Sequence, residues 1–163
     1  MKRSAIQKRL LFYYRQSLGW FGELIALFYY WRSWHFVVVR NWRCPIGELD
    51  LITIRNRTLH LIEVKTRIHK GGVFSAISQM TETKRKKLQD LSACYWNFAA
   101  VDIRRKRIAR MQIDFFGIDI SLKRLIPHFT ITHIPRLVRT YAKETTHYEE
   151  FPFQYNKNDS RLF

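Results

Sequence analysis

Asp50, Glu63 and Lys65 are the residues whose types and spacing could do chemistry together. Two carboxylates and one ammonium fall in stretches otherwise built from Leu, Ile, Val and Thr. A carboxylate in apolar sequence needs a partner, a metal or water. Asp and Glu oxygens suit hard divalent ions such as Mg2+ or Mn2+. Such an ion polarises a phosphate and activates water, while a neighbouring lysine orients the nucleophile or offsets developing negative charge. The plain alternative is a solvated strand face carrying a surface Glu63–Lys65 pair, because motifs of this size also arise by chance.

The elements that must position these groups are two strands and a tight turn, residues 47–54 and 58–66, broken at Arg55-Asn56-Arg57. Alternation puts Leu61, Glu63 and Lys65 on one face and Ile62 and Val64 on the other. In the first arm it puts Glu48 and Asp50 together, opposite Leu49 and Leu51. A hairpin then brings Asp50 close to Glu63 and Lys65, with the Val64 carbonyl between the key side chains and Glu48 as a weaker candidate.

Upstream, Ser17 can cap a helix over 18–34 that is apolar nearly all round. Its only acid, Glu23, shares a face with Ala26 and Tyr30; at an early helical turn it is favoured by the helix dipole even when it points to water. Residues 36–42 read as a first strand. A loop at 69–72 follows the lysine motif. Residues 75–98 read as a helix with Met80, Leu88, Leu91, Tyr95 and Phe98 inward and Lys84-Arg85-Lys86-Lys87 outward. Residues 103–110 form a basic connection. Strands follow at 111–118, where Asp114 has a structural role beside a basic neighbour, and at 125–134, where Pro127 indicates an edge or an early strand position. This order gives an α/β layered fold, a mixed sheet flanked by helices. The expected division is a basic arm over 1–16, one domain over 17–135 and an extension over 136–163.

Charge points to the partner. The formal net charge is +16 on 163 residues, which favours polyanions: nucleic acid first, an anionic membrane surface second. Residues 1–46 hold eight Lys or Arg against Glu23, and residues 84–110 hold nine against Asp90 and Asp102. Residues 47–83 are nearly balanced, five against four. Positive flanks around an acidic centre suit a metal-dependent enzyme acting on phosphodiesters. Cys44 and Cys94 lack metal-ligand spacing and read as small core residues in a reducing compartment. Residues 18–39 are very apolar, but a spanning helix there would have to carry Glu23, Arg32 and His35, so none is expected. No signal-peptide pattern stands at the N-terminus, so the expected location is the cytoplasm.

Asp50 followed by Glu63-Val64-Lys65 resembles the metal motif of the PD-(D/E)XK nucleases. Gly47-Glu48-Leu49-Asp50-Leu51-Ile52 with Glu63-Val64-Lys65-Thr66-Arg67 resembles the YraN family, small bacterial proteins similar to archaeal Holliday junction resolvases. Gly19-Trp20-Phe21-Gly22-Glu23-Leu24-Ile25-Ala26 is similar to that family's first helix, and Ile113-Asp114-Phe115 to its later strand. The resemblance covers roughly residues 17–118. No proline immediately precedes Asp50, and Gln79-Met80 and Thr83 depart from the family pattern, without removing a metal ligand. The resemblance implies a restriction-endonuclease-like fold and a Mg-dependent endonuclease, with DNA, branched DNA included, ahead of RNA. It implies Asp50 and Glu63 as ligands of Mg2+ or Mn2+, Lys65 positioning water and Glu23 as an accessory acid; the charge excess adds Arg67 with Lys84, Arg85, Lys86 and Lys87 on phosphates. Resolvase-like relatives imply a homodimer. Two other readings stay open: a non-catalytic nucleic-acid-binding or assembly protein that keeps the fold, and a peripheral membrane protein using its aromatic N-terminal region.

Overall fold

In the computed structural model, residues 5–69, 76–123 and 126–140 are described. Residues 1–4 of the expected arm, 70–72 of the expected loop and 141–163 of the expected extension lie outside them. The elements are helix α1 (Ala5–Arg32), strands β1 (Phe36–Cys44), β2 (Gly47–Arg55) and β3 (Thr58–His69), a short 3-10 turn (Ala76–Gln79), helices α2 (Glu82–Phe98) and α3 (Ala100–Arg105), and strands β4 (Arg110–Lys123) and β5 (Ile126–Thr140). The five strands form one sheet in the order β1-β2-β3-β4-β5. The β3–β4 pair is parallel and the other three are antiparallel. This is the expected α/β mixed sheet flanked by helices, and it is consistent with a restriction-endonuclease-like fold. β5 is an edge strand, as Pro127 indicates.

The β2–β3 hairpin closes on two residues. Asn56 and Arg57 both adopt positive φ, 49° and 59°, the conformation a two-residue turn demands to match strand twist. Parallel strands cannot be joined so tightly, and the chain between β3 and β4 crosses through α2 and α3. Thr81 starts α2: its hydroxyl accepts from Lys84 N–H at 3.2 Å. The single helix expected over 75–98 is therefore split, because this cap resets the chain at 81. α3 takes up part of the expected basic connection.

α1 begins twelve residues before Ser17. Ser17 does not cap it; its Oγ donates to Tyr13 O at 3.0 Å inside the helix. Residues 5–16 contain no Gly or Pro, so nothing stops the helix from extending back through them. The boundary expected between an arm and a domain at 16/17 thus falls within continuous helix.

Each sheet face carries its own core. On one face Leu88, Leu91 and Tyr95 of α2 and Ile103 of α3 pack with Leu49, Ile52, Leu59, Leu61, Ile113 and Phe115 of the sheet. On the other face Ala26 and Tyr30 of α1 pack with Leu51, Ile62, Phe116, Ile118 and Ile120 of the sheet. Leu49 and Leu51 pack in different cores, where strict alternation would place them together. The break falls at Asp50, and on the neighbouring strand β1 Asn41 sits in the left-handed region with φ 51°. The backbone is distorted on both strands near the residue that carries the first acid. Phe98, expected inside, is exposed, while Met80, Leu88, Leu91 and Tyr95 are buried. Cys44 and Cys94 are free and half-buried beside the α2 core. Burial first, then Cys44, pushes the Cys94 thiol up to about 11.

Gly22 sets how closely α1 lies on the sheet. A Cβ there would collide with Thr66 Oγ1 on β3. Gly22→Ala is expected to cost about 1–3 kcal/mol, the usual cost of overpacking. Thr66→Ala in the same chain, which removes the colliding hydroxyl, should recover part of that deficit in thermal melts.

Candidate functional site

The β2–β3 pairing runs from Arg55↔Thr58 to Leu51↔Ile62. The next pair in that register is Asp50 and Glu63, so the ladder stops where the acids begin. There a side chain replaces the backbone: Asp50 Oδ2 accepts from Val64 N–H at 2.7 Å. β3 continues beside β4 as far as His69↔Ser121. The sheet therefore opens between β2 and β3, and the opening is lined by Asp50 and Glu63 and reachable from both helical layers.

From the α1 side comes Glu23, one residue after the close approach at Gly22. Its Oε2 accepts from Asn41 Nδ2 at 3.1 Å. From the α2 side comes Lys84, whose Nζ meets Glu63 Oε1 at 2.8 Å, with 35% and 8% of the two side chains exposed. The Glu63–Lys65 pair of the plain surface alternative does not form. Lys65 lies on Glu63's side of β3 by alternation, half-buried, and makes no ion pair with a described residue.

Electrostatics mark the pair of acids. Burial, then the charge on Glu63, raises Asp50 from its ordinary 3.8 to about 7; Glu23 adds to the rise, and the Val64 N–H and Lys84 oppose it. One ammonium does not neutralise this group of carboxylates. Neighbouring carboxylates, Glu63 buried and Asp50 half-buried, call for a shared proton or a further cation. Hard oxygen donors of this kind fit Mg2+ or Mn2+. No group of three or more His, Cys, Asp or Glu side chains able to hold a metal is gathered among the described residues. Mg2+ does not need one, since it keeps several waters and takes one or two carboxylates together with substrate phosphate.

Of the other sequence-derived residues, Arg67 is half-buried and follows Lys65 on the same side of β3, with its Nε buried and unpartnered among the described residues. Arg85, Lys86 and Lys87 are exposed. Lys84 separates from that run by turning inward. Glu48 is not drawn in: it is exposed and pairs with Arg43 at 3.2 Å, because the distortion at Asp50 ends the shared phase of the two acids. Asn41 was not legible as a site residue. An asparagine in an apolar strand is a weak signal, and only its left-handed backbone aims it at Glu23.

Asp114 belongs to a separate buried polar network. Its carboxylate, 1% exposed, accepts from Gln112 Nε2 at 2.8 Å and from Arg136 N–H at 2.9 Å, and meets His60 Nδ1 at 2.8 Å. His60 stacks edge-on against His35, which bonds Thr53 Oγ1 at 2.9 Å. Tyr29 and Tyr30 hydroxyls contact the two nitrogens of His133. Burial lowers His35 to about 4, helped by the neighbouring His60 and Arg55. Burial also lowers His133. Asp114 lies below its ordinary value: burial pushes it up, but the bonds from His60 and Arg136 N–H outweigh that.

His35 makes the fold sensitive to acid. Between its ordinary value of 6.5 and about 4 the unfolded chain binds a proton there that the folded chain refuses. The contribution of His35 to stability is therefore full above 6.5 and is lost as pH falls through that window. Once partial solvent screening is allowed for, the loss is about 2 kcal/mol. Below it, Asp114 continues the loss. Asp50, raised from 3.8 to about 7, changes stability in the opposite sense over much of the same range, so the His35 share is read as a difference. The gap between wild type and His35→Gln, which keeps a donor for Thr53 but takes no proton, should change by that amount between pH above and below the window in thermal melts.

No helix among the described residues is long and apolar enough to cross a membrane. Comparison with known proteins gives a consistent family. A family model described as "Uncharacterised protein family UPF0102" matches residues 22–118. A UPF0102 protein of Mycolicibacterium vanbaalenii is 35% identical over 108 residues, covering 61% of this chain and 87% of that protein. One from Syntrophotalea carbinolica is 34% identical over 123 residues, covering 76% and 92%. One from Roseiflexus castenholzii is 32% identical over 124 residues, covering 76% and 94%. The matched span contains Glu23, the hairpin acids, Lys84 and Asp114, and the chain belongs to the UPF0102 family, the YraN family that its motifs resemble.

Proposed function

We propose that this protein binds nucleic acid and hydrolyses phosphodiester bonds with a divalent metal ion. The observation that carries the reading is the opening between β2 and β3. Asp50 and Glu63 adjoin there, Asp50 is raised to about 7, and Glu23 and Lys84 approach from opposite layers. Asp50 and Glu63 hold Mg2+ or Mn2+, with the Val64 backbone alongside. The ion supplies Lewis-acid polarisation of a phosphoryl oxygen and a lower pKa for water. Lys65 orients the attacking water and offsets negative charge as the P–O bond breaks. Glu23, held by Asn41, assists at the edge of the same group. Arg67 and the exposed Arg85, Lys86 and Lys87 hold flanking phosphates, DNA ahead of RNA. The cytoplasm and a homodimer belong to the same reading.

Phosphate binding should be visible in salt dependence. Arg85→Gln, Lys86→Gln and Lys87→Gln combined should weaken binding and reduce the slope of log affinity against log salt by about 2–3, near one unit for each phosphate no longer neutralised. Filter binding from low to high salt checks this, and an unchanged slope makes the run a solvated face. Lys84 is left out because it holds Glu63.

A non-catalytic binder with the same fold is the second reading, favoured by the Lys84–Glu63 ion pair, which neutralises one acid without a metal. Cleavage of labelled junction, duplex and single-stranded DNA and of RNA, with Mn2+ and with chelator, separates the two. Metal-dependent cutting supports hydrolysis, and tight binding without cutting supports the second reading.

A further inference from the structure

Each acid of the site uses one oxygen within the protein. Asp50 Oδ2 takes the Val64 N–H, Glu23 Oε2 takes Asn41 Nδ2, and Glu63 Oε1 takes Lys84 Nζ. Asp50 Oδ1, Glu63 Oε2 and Glu23 Oε1 have no hydrogen-bond partner among the described residues. The partners differ in kind. Val64 and Asn41 bring neutral donors, which leave the acids' charge in place. Lys84 brings a full positive charge to the most buried of the three. It is also the one of the two candidate lysines that reaches an acid, since Lys65 pairs with neither.

Lys84 faces two ways. The same side chain lines an open cleft of about 450 Å³ with Arg43, Gly47, Glu48 and Lys87. It therefore has a polar space to move into when it leaves Glu63. The Thr81 cap fixes its backbone in the first turn of α2, so the movement needs only side-chain rotation.

We infer that Lys84 is the resident cation of the site: it holds Glu63 while no divalent ion is bound, and an ion taking Glu63 displaces it into the cleft, where its charge faces a substrate phosphate. This rests on the proposed reading of Asp50 and Glu63 as a divalent-ion site. The physical basis is that an ammonium at 2.8 Å from Glu63 and a doubly charged ion on the same carboxylate repel each other. Lysine and metal are thus competitors for one group. Linked binding of this kind makes removal of one competitor strengthen the other.

The test is calorimetric titration of Mn2+ into the full chain at mildly alkaline pH, as wild type, Lys84→Met, Lys84→Gln and Arg105→Gln, with thermal melts of the same proteins without metal. Lys84→Met is expected to bind Mn2+ about 10-fold more tightly than wild type. It should also melt lower without metal and gain more on Mn2+ addition. Lys84→Gln keeps a neutral donor for Glu63 and should also bind more tightly if Lys84→Met proves too unstable to titrate. Arg105→Gln removes one exposed charge on α3 and should change affinity less than about 2-fold. Mn2+ binding to wild type with equal or weaker binding to both Lys84 variants would overturn the inference and leave the metal-site reading standing. Absence of Mn2+ binding in wild type and all variants would overturn both.

Discussion

Asp50→Asn is expected to reduce single-turnover cleavage by at least about 10³-fold while leaving the protein folded. The size follows from removing one of the two anionic ligands proposed for an ion that would supply several kcal/mol of charge stabilisation. The fold survives because asparagine keeps the size, and its carbonyl oxygen can take the Val64 N–H that Asp50 Oδ2 now takes at 2.7 Å. Stability without metal should move the other way. Asp50 is raised from 3.8 to about 7, so the folded chain keeps a proton there that the unfolded chain gives up. Stability from this group is present at low pH and is lost as pH rises through that window. Asparagine carries no such charge, so above that window the metal-free variant should melt at or above the wild type. Loss of activity with retained or increased stability is the mark of an acid kept for function. A variant that cuts as fast as wild type would place the chemistry elsewhere on the chain.

Lys65→Ala is expected to lower cleavage about 10²–10³-fold and leave Mn2+ affinity near that of wild type. Removal of one charge-stabilising donor from a preorganised site has that order of effect. Lys65 makes no ion pair with a described residue, so its removal strands no buried acid among the described residues and should cost little stability. This contrasts with Lys84, whose removal leaves the buried Glu63 unpaired and should cost about 3–5 kcal/mol in the metal-free protein. Parallel melts and rapid-quench kinetics on Lys65→Ala and Lys84→Met separate the two lysines: a drop in rate for the first, a drop in metal-free stability for the second. Equal melting deficits in both would remove the distinction.

The hairpin was legible because its information is local. Two β-branched arms and a polar break specify strand, turn and register, and register alone brings Asp50 opposite Glu63. The sheet order was not legible from pattern, but the spacing between β3 and β4 required a crossover, and the basic helix expected there supplied one. Three departures from local pattern share one cause, a local rule outvoted by its surroundings. Ser17 has cap chemistry, yet nothing upstream stops the helix. Glu48 has the right phase by alternation, yet Asn41 at φ 51° and the break at Asp50 end that phase. Lys84 looks like part of an outward charge run, yet the Thr81 cap turns it toward Glu63 at 2.8 Å. Glu23 is the intermediate case. Its helix and face were readable, but its hold on Asn41 depends on how deeply Gly22 lets α1 settle on Thr66.

The most direct measurement of the central claim is calorimetric titration of Mn2+ into wild-type protein on either side of the Asp50 pKa, about one unit below and one above its value of about 7. Binding is expected on both sides, tighter on the alkaline one, with proton uptake by the buffer on the acid one, because the incoming ion must displace the Asp50 proton. No heat of binding at either pH, or an affinity and proton count that do not change between them, would contradict a divalent-ion site built on Asp50 and Glu63.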